Sequence, residues 1–251
     1  MFYRDKTVTG RLIAENIGLA YFDGDRITKA LDDVTIDLPE RGFIGVMGPS
    51  GSGKSSLLYI LSGLKRPTSG DVRFSERRFS VMRDHELARL RRDRFGFVFQ
   101  QPWLLGWQTA GENALMGAPR IDGESVARMR HSFDQLGLEG HEDKFPSQLS
   151  GGEKQRICVA RAMMNEPDVI FADEPTASLD HSNGHLVVDL LSRYRERGVV
   201  VVVSHDPEML RDADRVLIVR DGRPVEWVSP ASQLLTQPFT GAPGPNIGTP
   251  T

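Results

Sequence analysis

Short apolar runs along the chain predict a sheet with buried strands. Five of them contain almost no polar residue: Phe43 to Met47, Phe95 to Phe99, Val169 to Ala172, Val199 to Val203 and Val216 to Val219. Continuous apolar strands are typical of a sheet with both faces covered. A helical pattern from Gly184 to Arg195 separates the third run from the fourth, so we predict that these two are central parallel strands.

The amino-terminal part alternates apolar and polar residues instead. Leu12 to Tyr21 and Leu31 to Leu38 lie on either side of a turn at 23–25, and the second segment alternates apolar and polar residues. This pattern predicts two antiparallel, half-exposed strands. A further short strand is predicted from Asp71 to Phe74, and a polar, solvent-exposed helix from Asp84 to Arg94.

The middle of the chain has no strand pattern. Between about 104 and 164 there are only helical stretches broken by glycine and proline, which predicts an inserted helical subdomain at about 101–164. The flanking parts, about 10–100 and 165–230, would complete a single domain over 1–235. The last sixteen residues, 236–251, hold four prolines and three glycines, which indicates a disordered tail.

Composition narrows the class of protein. The 251 residues are 39% hydrophobic and 26% charged, which is ordinary for a soluble globular protein, and the net charge of −3 argues against a nucleic-acid binder. One cysteine, Cys158, allows no internal disulfide and fits a reducing compartment. Because no apolar stretch approaches about eighteen residues, we expect the chain not to cross a membrane by itself.

A glycine-rich loop lies between the predicted strand at 43–47 and a helical pattern that begins near residue 54. It matches G-x-x-x-x-G-K-[ST], in which backbone N–H groups surround phosphates, the lysine reaches the outer phosphates and the hydroxyl binds Mg²⁺. A chance glycine loop with a solvated lysine is the alternative. The predicted phosphate-binding residues are Gly48, Pro49, Ser50, Gly51, Ser52, Gly53, Lys54, Ser55 and Ser56.

Two acidic residues end the apolar strand at 169–172. Ligands bind at the carboxyl ends of strands in open α/β sheets. Asp173 suits an outer-shell hold on Mg²⁺, and Glu174, one residue further, suits activation of a water molecule aimed at the terminal phosphate. An acidic loop before Pro175 is the alternative, and the preceding phosphate loop favours the catalytic interpretation.

A second helix start carries unusual glycines. Ser150 and Glu153 fit a capping box, which explains these two residues without any function. Gly151 and Gly152 in the same first turn cost helix stability. They make sense where a phosphate or another backbone comes close, so we predict a second anion-binding helix end, with each triphosphate shared by two chains facing opposite ways.

These motifs together resemble the nucleotide-binding subunit of an ATP-binding cassette (ABC) transporter over about residues 10–230. They follow the family's order: Gly48 to Ser55, Phe99-Gln100, Leu149 to Gln155, Asp173-Glu174-Pro175, Ser178-Leu179-Asp180 and Ser204-His205-Asp206. Segments 86–92, 95–101 and 111–113 also resemble the macrolide-export and lipoprotein-release branch. The loop at 177–180 departs from the Gly-Asn that is frequent in that branch, and Ser56 stands where threonine is frequent.

The resemblance implies an α/β fold of the P-loop NTPase, ABC ATPase type, with a mostly parallel core sheet, an antiparallel β subdomain and an inserted helical subdomain. It also implies roles for individual residues. Tyr21 would stack on adenine, although a strand aromatic can simply pack in the sheet. Gln100 would reach Mg²⁺ and the attacking water, and His205 would bond the γ-phosphate, although a histidine there can also be a polar cap. Across the dimer, Ser150, Gly151 and Gly152 would contact the ATP of the opposite subunit, and Asp180 would lie at the interface.

The activity implied by the resemblance is hydrolysis of ATP, with Mg²⁺, to ADP and phosphate in a head-to-tail homodimer on the cytoplasmic face of the inner or plasma membrane. A permease subunit would be the partner, in export or in lipoprotein or peptide extrusion. A groove near segment 100–113, which is rich in apolar residues such as Trp103 and Trp107, would receive a short helix of that permease.

Two alternatives of the same build stay open: transmembrane signalling without solute transport, and a soluble ATPase acting on nucleic acid or ribosomes. The second kind usually has a long coiled-coil insertion or two cassettes, and this chain has neither. A GTPase is disfavoured because no Asn-Lys-x-Asp motif occurs.

Overall fold

The computed structural model describes residues 10–24, 26–177 and 179–231 of the chain. Asp25 in the predicted turn, Ser178 and the predicted disordered tail at 236–251 lie outside the described residues. Among the residues described, no helix is long and apolar enough to span a bilayer.

A six-stranded sheet forms the core. Its strands are β3 (Gly42–Met47), β6 (Phe95–Val98), β7 (Val169–Asp173), β8 (Val199–Val203), β9 (Arg215–Arg220) and β10 (Arg223–Val228), in the order β10-β9-β3-β8-β7-β6. All neighbouring pairs are parallel except β9 with β10. The two strands predicted at 169–172 and 199–203 are central and parallel, as expected, and the structure shows that they are direct neighbours in the sheet.

Both faces of this sheet are covered, which explains why its strands are continuously apolar. Along β8, Val199, Val201 and Val203 pack into one apolar cluster, while Val200 and Val202 pack into the other. Successive side chains point to opposite faces of a strand. Polar residues at either set of positions would therefore be buried.

The alternating segments form a separate antiparallel sheet. It contains β1 (Leu12–Asp23), β2 (Arg26–Leu38), β4 (Ser69–Phe74) and β5 (Arg77–Arg78), in the order β2-β1-β4-β5. Both strands of the predicted hairpin are longer than the pattern indicated, because exposed residues near the turn continue the pairing from Tyr21–Thr28 to Asp23–Arg26.

The described residues also form six α-helices: α1 (Lys54–Leu61), α2 (Asp84–Arg94), α3 (Ala110–Leu115), α4 (Gly123–Gln135), α5 (Gly151–Met163) and α6 (His181–Tyr194). Helix α1 shares an apolar cluster with the antiparallel sheet, and helices α3 to α6 share the cluster on the other face of the core sheet. Between 104 and 164 the structure contains helices and loops and no strand, as the sequence predicts, and the α/β fold class is confirmed.

Candidate active site

Four neighbouring parallel strands deliver the predicted catalytic residues to one edge of the core sheet. The loop 48–53 follows β3, and Ser204 and His205 follow β8. Asp173 is the last residue of β7, Glu174 follows it directly, and Gln100 lies two residues after β6. Since carboxyl ends of parallel strands meet at the same edge, residues far apart in the sequence become neighbours.

The fold requires glycine at both ends of the phosphate loop. Gly53 has a φ of +99°, and a Cβ atom there would lie 2.4 Å from the carbonyl oxygen of Ala30. A Cβ atom on Gly48 would lie 2.1 Å from the carbonyl oxygen of Val219. Since real Cβ atoms do not approach so closely, a side chain at either position would displace the backbone.

Lys54 folds back over this loop. Its Nζ atom donates to the carbonyl oxygens of Gly48 (2.8 Å) and Pro49 (2.9 Å), and the side chain is buried. Burial lowers the pKa of Lys54, while the nearby carboxylates of Glu174 and Asp173 oppose that shift. The ammonium group is therefore held at the loop beside two negative charges.

Asp173 forms a direct link between β7 and helix α1. The Ser55 hydroxyl donates to Oδ1 of Asp173 at 3.1 Å, and the Tyr59 hydroxyl donates to Oδ2 at 3.2 Å. Burial raises the pKa of Asp173 above its usual value, although the two hydroxyl groups partly offset this. A hydroxyl and a carboxylate in contact are hard oxygen ligands of the kind that Mg²⁺ prefers, so this pair fits that ion.

Glu174 is held in a strained conformation beside His205. Its φ of +47° is uncommon for a residue with a side chain and costs on the order of 1–3 kcal/mol. Its N–H donates to the carbonyl oxygen of Val203 at 2.9 Å. Its carboxylate accepts from the N–H of His205 (3.1 Å) and from Ser204 Oγ (3.3 Å), and lies 2.9 Å from His205 Nδ1. The fold thus fixes the direction of this carboxylate.

The first turn of α5 has the predicted capping box. Ser150 Oγ accepts from the N–H of Glu153 at 3.2 Å, and the Glu153 carboxylate accepts from the N–H of Ser150 at 2.6 Å. This backbone hydrogen bond lowers the pKa of Glu153 to about 2. The hydrogen bond between His141 Nε2 and Glu153 Oε1, at 2.8 Å, adds to the shift. Outside its own turn of helix, a Cβ atom on Gly151 would meet no described atom within 4 Å. The packing of this chain therefore does not require that glycine.

The remaining predicted residues lie around this edge. Asp180 is the N-cap of α6 and accepts from the N–H of Asn183 at 2.9 Å, which contributes most to lowering its pKa to about 2. Gln100 is exposed, and the carbonyl oxygen of Phe99 before it accepts from Gln155 Nε2 of α5 at 2.8 Å. Helix α5 is thereby tied to the start of the segment that carries Gln100.

Tyr21 is exposed on β1. The Nζ atom of Lys65 lies 3.8 Å from the centre of its ring, and hydrogen bonding to Lys65, then to Ser56, lowers the pKa of its hydroxyl. This places Tyr21 beside the first turns of α1, next to the phosphate loop.

The structure brings Lys54, Ser55, Asp173, Glu174 and His205 into one site. Ser150 bonds within its own helix, and no hydrogen bond joins it to loop 48–53 in the part of the chain that the structure describes. Tyr59 and Ser204, which bond the two acidic residues, were not among the predicted site residues, although Ser204 belongs to a recognised motif. A signal existed for Tyr59, because it follows Ser55 by four residues and therefore lies on the same face of α1.

Comparisons with known proteins agree with this geometry. A family profile described as ABC transporter matches residues 31–177. The chain is 39% identical over 220 residues to an uncharacterized ABC transporter ATP-binding protein, MJ1508, of Methanocaldococcus jannaschii, in a match covering 86% of this chain and 98% of that one. Among solved structures, the dimeric post-hydrolysis state of the ATP-binding cassette MJ0796 bound to ADP and Pi has a TM-score of 0.81 at 35% identity, covering 88% of this chain and 99% of that chain.

Proteins that also contain a permease are similar over one segment. The chain is 39% identical over 212 residues to the macrolide export ATP-binding/permease protein MacB of Photorhabdus laumondii. That match covers 83% of this chain and 33% of the relative, so the chain spans about a third of the length of such relatives.

Proposed function

Because the chain belongs to the ABC transporter family as an ATP-binding cassette, we propose that it hydrolyses ATP to ADP and phosphate at the edge of its core sheet. We further propose that it couples this reaction to a membrane permease. The observation that carries the proposal is the pair of contacts Ser55–Asp173 and Glu174–His205, which join the ends of β7 and β8 to the start of α1, directly after the phosphate loop.

Each residue has a chemical role in this proposal. The loop 48–53 and the start of α1 bind the phosphates through N–H groups and the helix dipole. Lys54 exchanges its two carbonyl partners for phosphate oxygens. Ser55 and Asp173 hold Mg²⁺, which neutralises phosphate charge when bound. Glu174 accepts a proton from the attacking water, and Gln100 helps to position that water and the ion. His205 bonds the γ-phosphate and orients Glu174.

We propose that the working unit is a head-to-tail homodimer. The capping box uses only the N–H groups of Ser150 and Glu153, whereas the first N–H groups of a helix have no carbonyl partner within it, and Gly151 leaves open space at the surface of the turn. Such a turn can accept a phosphate from outside the chain. Ser150, Gly151 and Gly152 would thus contact ATP bound to the partner, with Asp180 near the interface, and the dimeric state of the similar cassette MJ0796 supports this arrangement.

We propose that a separate permease subunit holds this dimer at the cytoplasmic face of the inner or plasma membrane. The permease part in the name of the macrolide export relatives supports such a partner. Trp103 and Trp107 are both exposed on the segment after Gln100, which gives a permease helix an apolar surface near the catalytic edge. Export, including extrusion of a lipoprotein or peptide, is the transport class we favour.

Replacing Glu174 by glutamine tests the catalytic proposal. The change keeps the shape of the side chain and removes its basicity, so ATP binding should persist while turnover falls by roughly 10²- to 10⁴-fold. Steady-state phosphate release and fluorescent-nucleotide titration measure the two effects.

Glu166→Gln is a matched control because Glu166 lies just before the other end of β7 and has a similar φ of +45°. Its hydrolysis should stay near the wild-type rate. A Glu174→Gln variant that hydrolyses ATP at the same rate as this control would remove Glu174 from the role of base.

The same variant tests the dimer. With ATP bound and hydrolysis blocked, Glu174→Gln should form dimers, whereas the wild-type chain without nucleotide should be largely monomeric. Size exclusion with light scattering distinguishes the two masses. An ATP-saturated variant that stays monomeric at micromolar concentrations would contradict the shared site while leaving the catalytic proposal intact.

A further inference from the structure

Two histidines and a glutamate form a cluster outside the proposed ATP site. His181 and His185 lie one turn apart at the start of α6, and Glu208 lies in the short 3₁₀ helix Pro207–Leu210 after β8. One ligand atom from each residue can be chosen so that all lie within 4.8 Å of one another. No other group of three such residues is found among the residues that the structure describes.

The geometry of the cluster is close to that of a tetrahedral metal site. His181 Nε2 is 3.1 Å from Glu208 Oε2, and His185 Nε2 is 3.8 Å from Glu208 Oε1. Ligand atoms around Zn²⁺, at bonds of about 2.0–2.1 Å, lie about 3.3 Å apart in a tetrahedron. Because the side chains are exposed or half-buried, small rotations would bring all three atoms to that spacing.

An ordinary hydrogen bond explains only part of this arrangement. One imidazole is enough to pair with the Glu208 carboxylate, and His181 already does so. The second imidazole, from His185, packs edge to face against the first, with 4.4 Å between ring centres. Two histidines four residues apart on a helix present their nitrogens on one face, as in helical zinc sites.

We propose that His181, His185 and Glu208 bind a divalent transition-metal ion, with Zn²⁺ as the expected occupant. Imidazole nitrogens with one carboxylate suit Zn²⁺, Ni²⁺ or Cu²⁺ and disfavour Mg²⁺, which selects oxygen ligands. Three protein ligands leave a fourth position for water. This site is distinct from the proposed Mg²⁺ site at Ser55 and Asp173.

The ion would join two segments that both begin at the proposed ATP site. Helix α6 starts after Asp180, its N-cap, and the 3₁₀ helix starts two residues after His205. A metal bond between them adds a cross-link where the present contacts are exposed hydrogen bonds, which contribute little in water. Metal binding to the folded chain therefore stabilises this corner of the fold.

Titration with Co²⁺ tests the proposal, using the full chain without a histidine tag and without nucleotide. Tetrahedral Co²⁺ absorbs visible light strongly, so the wild-type chain should give a saturable spectrum at about one ion per chain. Zn²⁺ should displace Co²⁺, whereas excess Mg²⁺ should not. The melting temperature should rise when Zn²⁺ is added.

His185→Ala and Glu208→Ala should bind Co²⁺ at least about tenfold more weakly, because each removes a ligand. His131→Ala, on the surface of α4, is the matched control and should bind like wild type. Conservative variants, His185→Gln and Glu208→Gln, repeat the test if an alanine variant loses its circular dichroism signal.

Absence of a saturable spectrum overturns the proposal. So does binding that is equal in all variants, or binding that is lost in His205→Ala and kept in His185→Ala, since the ion would then lie at another site.

Discussion

The catalytic edge and the first turn of α5 satisfy their polar groups in opposite ways. At the edge, the partners come from distant parts of the chain: Ser55 bonds Asp173 across 118 positions, and Glu174 lies against His205 across 31. In the first turn of α5, Ser150 and Glu153 bond each other at a spacing of three. The edge is therefore a product of the whole fold, while the turn is largely a product of local sequence.

This difference has a functional meaning. A site assembled from strand ends holds its groups in place before any ligand arrives, which favours catalysis by positioning. A turn that holds its shape through its own capping box, with helix N–H groups still available and open space at Gly151, can instead bind a group supplied from outside. Within the proposed dimer, one chain would supply the catalytic edge and its partner would supply the turn.

Asp173→Asn should have the largest effect of the four changes that follow. Loss of the carboxylate beside Ser55 should weaken the hold on Mg²⁺ and lower the rate of ATP hydrolysis by about 100-fold. Titration of the rate with Mg²⁺ measures this, and a raised requirement for the ion is expected. An unchanged Mg²⁺ dependence would move the ion away from Asp173.

The same variant should be more stable than the wild-type chain. Burial raises the pKa of Asp173, so the folded state binds this proton more tightly than the unfolded state does. Ionisation of this buried carboxyl group therefore lowers the stability of the folded state. The loss of stability is absent below the pKa of the unfolded state, about 3.9, grows as the pH rises through the pKa of the folded state and is complete above that pKa. Asparagine removes that cost, so the melting temperature should rise at pH 7, and the gain should disappear near pH 3.5.

Ser150→Ala tests the other side of the comparison, with Thr109→Ala as its match. Thr109 caps α3 with the same type of capping box, formed with Glu112. Each change should cost about 1 kcal/mol of unfolding free energy. If Ser150 contacts the partner's ATP, Ser150→Ala should also lower the rate of hydrolysis, by about tenfold for one lost hydrogen bond to a charged group, whereas Thr109→Ala should leave the rate unchanged. Equal activities of the two variants would mean that the turn is only a helix cap.

Tyr21→Ala should have a smaller effect, confined to nucleotide affinity. A stacked base contributes on the order of 1–3 kcal/mol, so KM for ATP should rise at least about fivefold with little change in kcat. Phe22 is the matched control because it is also exposed and, as the next residue of β1, points to the opposite face. Equal KM values for Tyr21→Ala and Phe22→Ala would contradict stacking on Tyr21.

The sequence predicted the parts of this molecule that depend on local pattern. The buried strands, the phosphate loop and the capping box of Ser150 each follow from residues within a few positions. It did not predict strand β10, which contains Pro224 and is mostly exposed, so its pattern differs little from that of a loop. It also gave no basis for the contact between Glu174 and His205, which exists because β7 and β8 are neighbours in the sheet.

Both tryptophans after Gln100 should be dispensable for the isolated chain. Trp103 and Trp107 are 66% and 75% exposed. The side chain of buried Asn113 holds the loop that carries them, because it bonds the N–H and carbonyl groups of Leu105 and the carbonyl oxygens of Gln108 and Thr109. In addition, the Arg161 guanidinium donates to the carbonyl oxygen of Trp103. In the loop 103–109, all of these bonds end on backbone atoms, which alanine keeps. Replacing both tryptophans by alanine should therefore leave the loop folded.

The double variant Trp103→Ala, Trp107→Ala should therefore keep basal ATP hydrolysis within about twofold, because surface changes rarely exceed about 0.5 kcal/mol. By contrast, Phe133→Ala removes a buried core residue of the same helical region, so it should lower the free energy of unfolding, measured in urea, by about 3–5 kcal/mol.

Stimulation of hydrolysis by native membranes should be lost in the double variant. It should be kept in the control Phe22→Ala, which removes an exposed aromatic side chain from the antiparallel sheet. Since apolar anchors contribute most of the energy of a protein interface, full stimulation of the double variant would place the permease contact elsewhere on the surface.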